Sequence, residues 1–142
     1  MRALLDVNVL IALHDTQHVH HVRAADWFAS HAELGWASCP LTQNGCLRIM
    51  SQPGYAQPQP LSLLASMLQR SVGTRFHQFW ADDLSLLDAR EFDHSKIHGH
   101  RQLTELYLLA LAVKNDGRLV TFDGQIALSA VHGAHKRHLE VA

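Results

Sequence analysis

Two short apolar runs that end on aspartate constrain this chain more than any other feature: Leu4-Leu5-Asp6 near its start and Leu119-Val120-Thr121-Phe122-Asp123 near its end. The first is too short for a helix and lacks polar alternation, so it reads as a buried strand, and the second is a β-prone run. In an open parallel sheet the ligand crevice lies beyond the carboxyl ends of the strands. Both aspartates therefore fall where such folds keep their sites. Glu105 stands early in a long helical segment whose preceding loop can lie on the same side, which would let three carboxylates converge.

Between these runs the pattern alternates. A brief helical stretch is expected over 9–13 and an amphipathic helix over 18–32, with Val22, Ala25, Trp27, Phe28 and Ala32 near helical spacing. A second strand is expected over 35–38, a helix over 41–50, and a loop over 52–60 carrying three prolines and a glycine. A helix follows over 61–70 and a strand over 78–80. Asp82 or Asp83 is then expected to cap a helix starting at 84–87. The clearest element is the helix over 102–114, which Asn115-Asp116-Gly117 stops, with the glycine just past its last turn. The alternation predicts an α/β layered domain, a central mainly parallel sheet flanked by helices. At 142 residues, one domain over 1–142 is expected.

Convergent carboxylates repel one another by about 4 kcal/mol per close pair at an effective dielectric near 20. Such a cluster calls for a cation or shared protons, and oxygen-only donors suit Mg²⁺ or Mn²⁺ better than zinc. A divalent ion of this kind lowers the pKa of bound water and neutralises charge on a phosphate oxygen, as phosphodiester hydrolysis requires. Asn8, two residues past Asp6, is placed to orient that carboxylate or the water. The competing explanation is local: strand-end aspartates cap helices and form turns, and a first-turn glutamate is favoured by the helix dipole.

The segment Leu4-Leu5-Asp6-Val7-Asn8-Val9-Leu10-Ile11 resembles the opening of PIN domains, where a strand delivers an aspartate followed two residues later by asparagine. Thr104-Glu105-Leu106-Tyr107-Leu108-Leu109-Ala110-Leu111-Ala112 resembles the family's third acidic motif, and Thr121-Phe122-Asp123 its fourth. Order and spacing agree over nearly the whole chain, and the likeness is nearest to VapC-type toxins. The resemblance implies a PIN-like three-layer fold and a Mg²⁺-dependent endoribonuclease, the toxin of a type II toxin–antitoxin pair. It implies a homodimer restrained by a cognate antitoxin, acting on RNA by in-line attack of water to leave a 5′-phosphate and a 3′-hydroxyl. Asp6, Glu105 and Asp123 would bind metal, directly or through water, with Asn8 and Thr121 supporting them by hydrogen bonds.

One position departs from the family pattern. Aligning Thr42-Gln43-Asn44-Gly45 with the second acidic motif puts Gly45 where a glutamate is usual, and Gln43 or Asn44 would offer at most a neutral oxygen. A glutamate at 45 is expected to raise metal affinity and to suit the helix, being a better helix former than glycine by about 0.5–1 kcal/mol. The departure also keeps open a second reading, a weak or inactive PIN-like module that binds RNA or an antitoxin.

The remaining features restrict the function further. A formal net charge of −1 makes long-range attraction to nucleic acid weak, so RNA contacts must come from local basic groups. Arg48 and Arg101 are the best candidates because their segments adjoin the acidic cleft, where they would grip phosphates. The twelve histidines include clusters at His18, His20 and His21, at His98 and His100, and at His132, His135 and His138. None has a zinc-site spacing, so solvated or core roles are expected. Trp27, Trp36 and Trp80 read as core or dimer-interface residues. Two cysteines in no redox pattern, with no run approaching a membrane span, point to the cytoplasm.

Overall fold

A computed structural model describes all residues 1–142. Its centre is a five-stranded sheet in the order β3-β2-β1-β4-β5, with β1 Ala3–Leu5, β2 Trp36–Ser38, β3 His77–Phe79, β4 Arg118–Thr121 and β5 Leu139–Val141. Every pairing is parallel, so the expected mainly parallel sheet is parallel throughout. Five helices flank it: α1 Val7–His14, α2 His21–His31, α3 Pro40–Met50, α4 Leu61–Val72 and α5 Leu103–Lys114.

Strand residues alternate between the two faces of the sheet, and the core divides accordingly. Leu4, Ala37 and Leu119 face one way and pack with α5 residues such as Leu108 and Leu111. Ala3, Leu5, Trp36 and Val120 face the other and pack with Val9, Leu10, Cys46, Leu64 and Leu68 of α1, α3 and α4. Buried on both sides, the strands need no polar alternation, which is why they read as continuous apolar runs. Trp27, Trp36 and Trp80 are all buried in these cores.

The chain leaves β1 toward β2 and β3 on one side, and returns to β4 and β5 on the other. The order therefore reverses between β1 and β4, and the carboxyl ends of those two strands open a crevice. Register brings them level: Leu5 pairs with Val120, and the Asp6 N–H donates to the Val120 carbonyl at 2.9 Å.

Two expectations need correction. No helix begins at 84–87; the Asp82 carboxylate instead accepts from the Leu41 N–H at 2.9 Å, supplying the start of α3. His18 to His20 form a turn, so the second helix starts only at His21. After α5, the left-handed residue is Asp116 (φ 56°) rather than Gly117. Gly117 is required for space, because a Cβ there would lie 2.6 Å from the Arg2 carbonyl oxygen and 2.7 Å from the Trp80 ring. β5 lay outside the sequence reading altogether; no helix is long and apolar enough to cross a membrane.

Candidate active site

At the β1–β4 crevice, Asp6 ends the central strand and caps α1. One carboxylate oxygen accepts from the Val7 N–H at 2.7 Å; the other accepts from the Thr121 hydroxyl at 2.8 Å. Thr121 also accepts from the Asp123 N–H at 3.1 Å. One buried threonine thus ties the Asp6 side chain to the backbone that carries Asp123. The Asp123 carboxylate accepts from the Gln125 N–H at 2.8 Å. Both aspartates therefore have the local capping and turn roles that sequence alone allows, and both are at the crevice as well.

Glu105, in the first turn of α5, completes the group. Its carboxyl is pushed above the usual value by burial, then by the charges of Asp6 and Asp123. Burial raises the Asp6 carboxyl too, against the hydrogen bonds from Thr121 and Val7, and the Asp123 charge adds to the rise. The three expected carboxylates thus border one crevice, but no three acidic side chains close to metal-cage spacing. None of them enters an ion pair with a cationic side chain of the chain.

Two cavities meet at Glu105 and Arg101. One, of about 240 Å³, is lined by Asp6, Asn8, Gly45, Arg48, Arg101 and Glu105, among others. The other, of about 350 Å³, is lined by Arg101, Gln102, Glu105, Asp123, Gln125 and Ile126, among others. Arg48 and Arg101 are exposed and form no salt bridge. Depressions elsewhere on the surface hold no comparable group of carboxylates.

Asn8 lines the first cavity but does not bond Asp6, whose oxygens are taken by Val7 and Thr121. Its expected role in orienting that carboxylate is corrected to a place on the rim. Gln43 is also displaced from expectation: its amide donates to Ser38 Oγ at 2.9 Å, and neither it nor Asn44 lines the cavity. Gly45 does line it, beside Asp6 and Glu105. The helix does not accept a side chain there freely, however. A Cβ on Gly45 would lie 2.9 Å from Val7 Cγ2 and 3.1 Å from Cγ1, and a β-branched valine has little rotamer freedom to yield. Sequence reasoning missed this close approach of α1 and α3, and Gln102 and Gln125 at the second cavity carried no motif.

Similarity to characterised proteins follows the same map. No family model matches the chain. It is 53% identical over 139 residues, 98% of each chain, to ribonuclease VapC44 of Mycobacterium tuberculosis strain H37Rv. Ribonuclease VapC39 of the same strain is 42% identical over 134 residues, 94% of this chain and 96% of its own. The chain belongs to the VapC ribonuclease family. As a VapC ribonuclease it is an endoribonuclease toxin of a toxin–antitoxin system. The fold agrees: VapBC2 from Rickettsia felis, solved bound to a promoter DNA fragment, superposes with a TM-score of 0.64 at 12% identity, covering 100% of this chain and 99% of that one. The M. tuberculosis VapC20 toxin, described as cleaving the sarcin–ricin loop, superposes with a TM-score of 0.64 at 9% identity, covering 94% and 97%.

Proposed function

We propose that this VapC ribonuclease is divalent-metal dependent, with Asp6, Glu105 and Asp123 as the metal-binding carboxylates. The observation that carries the reading is that Glu105 lines two adjoining cavities, one shared with Asp6 and the other with Asp123. None of the three carboxylates is ion-paired within the chain, and their oxygen donors fit Mg²⁺ or Mn²⁺. In this conformation no three acidic, histidine or cysteine side chains close to the spacing of a complete ligand cage.

When bound, the ion would supply an activated water and neutralise charge on the scissile phosphate. The chain's own residues do the rest. Thr121 fixes the rotamer of Asp6 by its hydrogen bond. The α1 cap at Val7 holds the second oxygen. Glu105 reaches the crevice from the opposite element, α5. Arg48 and Arg101 would offset the repulsion between the acidic cleft and RNA phosphates, and Asn8 would contact RNA or water at the rim. A single domain over 1–142, a homodimer, a cognate antitoxin that blocks the cleft and a cytoplasmic site of action complete the proposal. The support for them is the family membership, together with an open acidic cleft that an antitoxin arginine would pair with.

The test joins binding to activity. Calorimetric titration with Mn²⁺ should show a site in the wild type that Asp6→Asn weakens strongly. RNA cleavage should need added metal and fall by about 10²–10³-fold in Asp6→Asn, the loss of about 3–4 kcal/mol of transition-state stabilisation. Expression in a bacterium should slow growth only with the wild type. Equal Mn²⁺ affinity in the two proteins would reject Asp6 as a ligand.

A further inference from the structure

The second cavity carries Glu105 and Asp123 on one wall and extends past them, and at about 350 Å³ it is the larger of the two at the site. That is the low end of the size of small-molecule pockets, about 300–1,000 Å³, and suits one nucleoside. Leu106, Ile126 and Ala127 supply its apolar lining, of which Leu106 and Ile126 are largely buried. Gln102 and Gln125 line it with amide side chains.

The amides differ in what they have free. Gln102 Oε1 accepts from the His98 N–H at 3.0 Å, which leaves its Nε2 hydrogens to donate. Gln125 uses only its backbone N–H, toward Asp123, so its exposed side chain can both donate and accept. Arg101 lines this cavity and the metal-side cavity alike. Sequence-specific recognition of single-stranded RNA uses this combination: a surface for the face of a splayed base, and fixed donors and acceptors for its edge.

We propose that this cavity is a nucleobase subsite for the RNA nucleotide next to the scissile phosphate, with Gln102 and Gln125 reading the base edge. The inference rests on the placing of the scissile phosphate at Asp6, Glu105 and Asp123. Leu106, Ile126 and Ala127 receive the base face, and Arg101 meets the adjoining phosphate. Gln102 Nε2 selects a base that presents an acceptor toward it. Gln125 supplies a second bond whose loss should blur the choice without disturbing the fold, since its side chain holds nothing else.

Titration of the ¹⁵N-labelled chain with each of the four 5′-mononucleotides, and with ribose 5-phosphate, tests the proposal without any cleavage. With Mg²⁺ present, one nucleotide should bind more tightly than the others and shift the amides of Gln102, Gln125, Ile126 and Ala127. Ribose 5-phosphate should leave those amides unmoved. Gln125→Ala should weaken the preferred nucleotide by about three- to tenfold, as expected for one hydrogen bond near 1 kcal/mol, and narrow its lead over the others. Equal affinities for all four, identical shifts with ribose 5-phosphate, or an unchanged preference in Gln125→Ala would overturn the subsite. Failure of the metal reading looks different: Mn²⁺ calorimetry would be silent, while nucleotide shifts at the subsite would persist regardless of Mg²⁺.

Discussion

The carboxylate cleft and the histidines of the helical layer are the two regions whose residue types invite chemistry, and they are built in opposite ways. Several histidines are fully engaged inside the chain. His14 donates to the Leu10 carbonyl at 2.8 Å and bonds Ser71 at 2.6 Å, and burial lowers its pKa, so it is held neutral. His21 donates to the Ala12 carbonyl at 2.8 Å. His31 donates to the Trp27 carbonyl at 2.7 Å and stacks on the Trp27 ring at 4.6 Å. His14 ties α1 to α4 and His21 ties α2 to α1, while His31 braces α2 from within. Asp6 and Asp123 accept hydrogen bonds that aim them, none of the three carboxylates is ion-paired, and burial with neighbouring carboxylate charge raises the pKa of Asp6 and of Glu105. A functional site is marked here by what remains uncompensated, rather than by how many ligand-capable residues a segment holds.

The sharpest way to strain this contrast is to add a fourth acid. Gly45→Glu puts a carboxylate into the cleft and a Cβ against Val7. Overpacking of this kind costs about 1–3 kcal/mol, so thermal denaturation of the metal-free protein should show a drop of several degrees. Gly45→Ala should show most of the same drop, because it shares the Cβ without the charge. The double variant Val7→Ala with Gly45→Glu should recover part of it and bind Mn²⁺ more tightly than Val7→Ala alone. Full stability in Gly45→Ala would mean that α1 and α3 separate readily.

A smaller change tests whether the aim of Asp6 matters. Thr121→Val removes the hydroxyl from a buried carboxylate, a loss of about 1–3 kcal/mol, and should lower Mn²⁺ affinity and cleavage by about tenfold or more. Thr121→Ser should restore both. If valine and serine behave alike, the Thr121 bond is a structural link only.

The absence of opposing charge can be read through pH. A carboxyl whose folded pKa lies above its unfolded value costs stability once pH rises past the folded value, and costs nothing below the unfolded one. Glu105 is raised in this way. Glu105→Gln should therefore match the wild type in acid and exceed it in metal-free stability as pH rises toward neutrality. Denaturant titrations at both pH values check the sign, and saturating Mg²⁺ should reverse the order by stabilising the wild type more. The smallest effect belongs to the histidine side. His21→Gln should cost about 1 kcal/mol or less of stability and leave Mn²⁺ affinity and RNA cleavage unaltered; a drop in metal affinity would break the contrast.

By itself the sequence determined which segments are buried and where the strands end, because those are local properties: an apolar run with no polar alternation has to be covered on both faces, and an aspartate after it has to leave the core. The positions of Asp6 and Asp123 at the ends of β1 and β4 were legible for that reason, and α5 and the loop before α4 from periodicity and proline content. The tertiary structure decided everything that depends on contacts between distant segments. It moved Asp82 from a helix of its own to the start of α3, and gave Gly117, whose N–H closes the end of α5 on the Ala112 carbonyl, a second role as the space beside Trp80. It set Gly45 against Val7, left Asn8 on the rim of the cleft, and added β5 beside β4. No local pattern encodes which side chain will stand within 3 Å of another element; that follows only once the strand order has fixed which helices pack on which face.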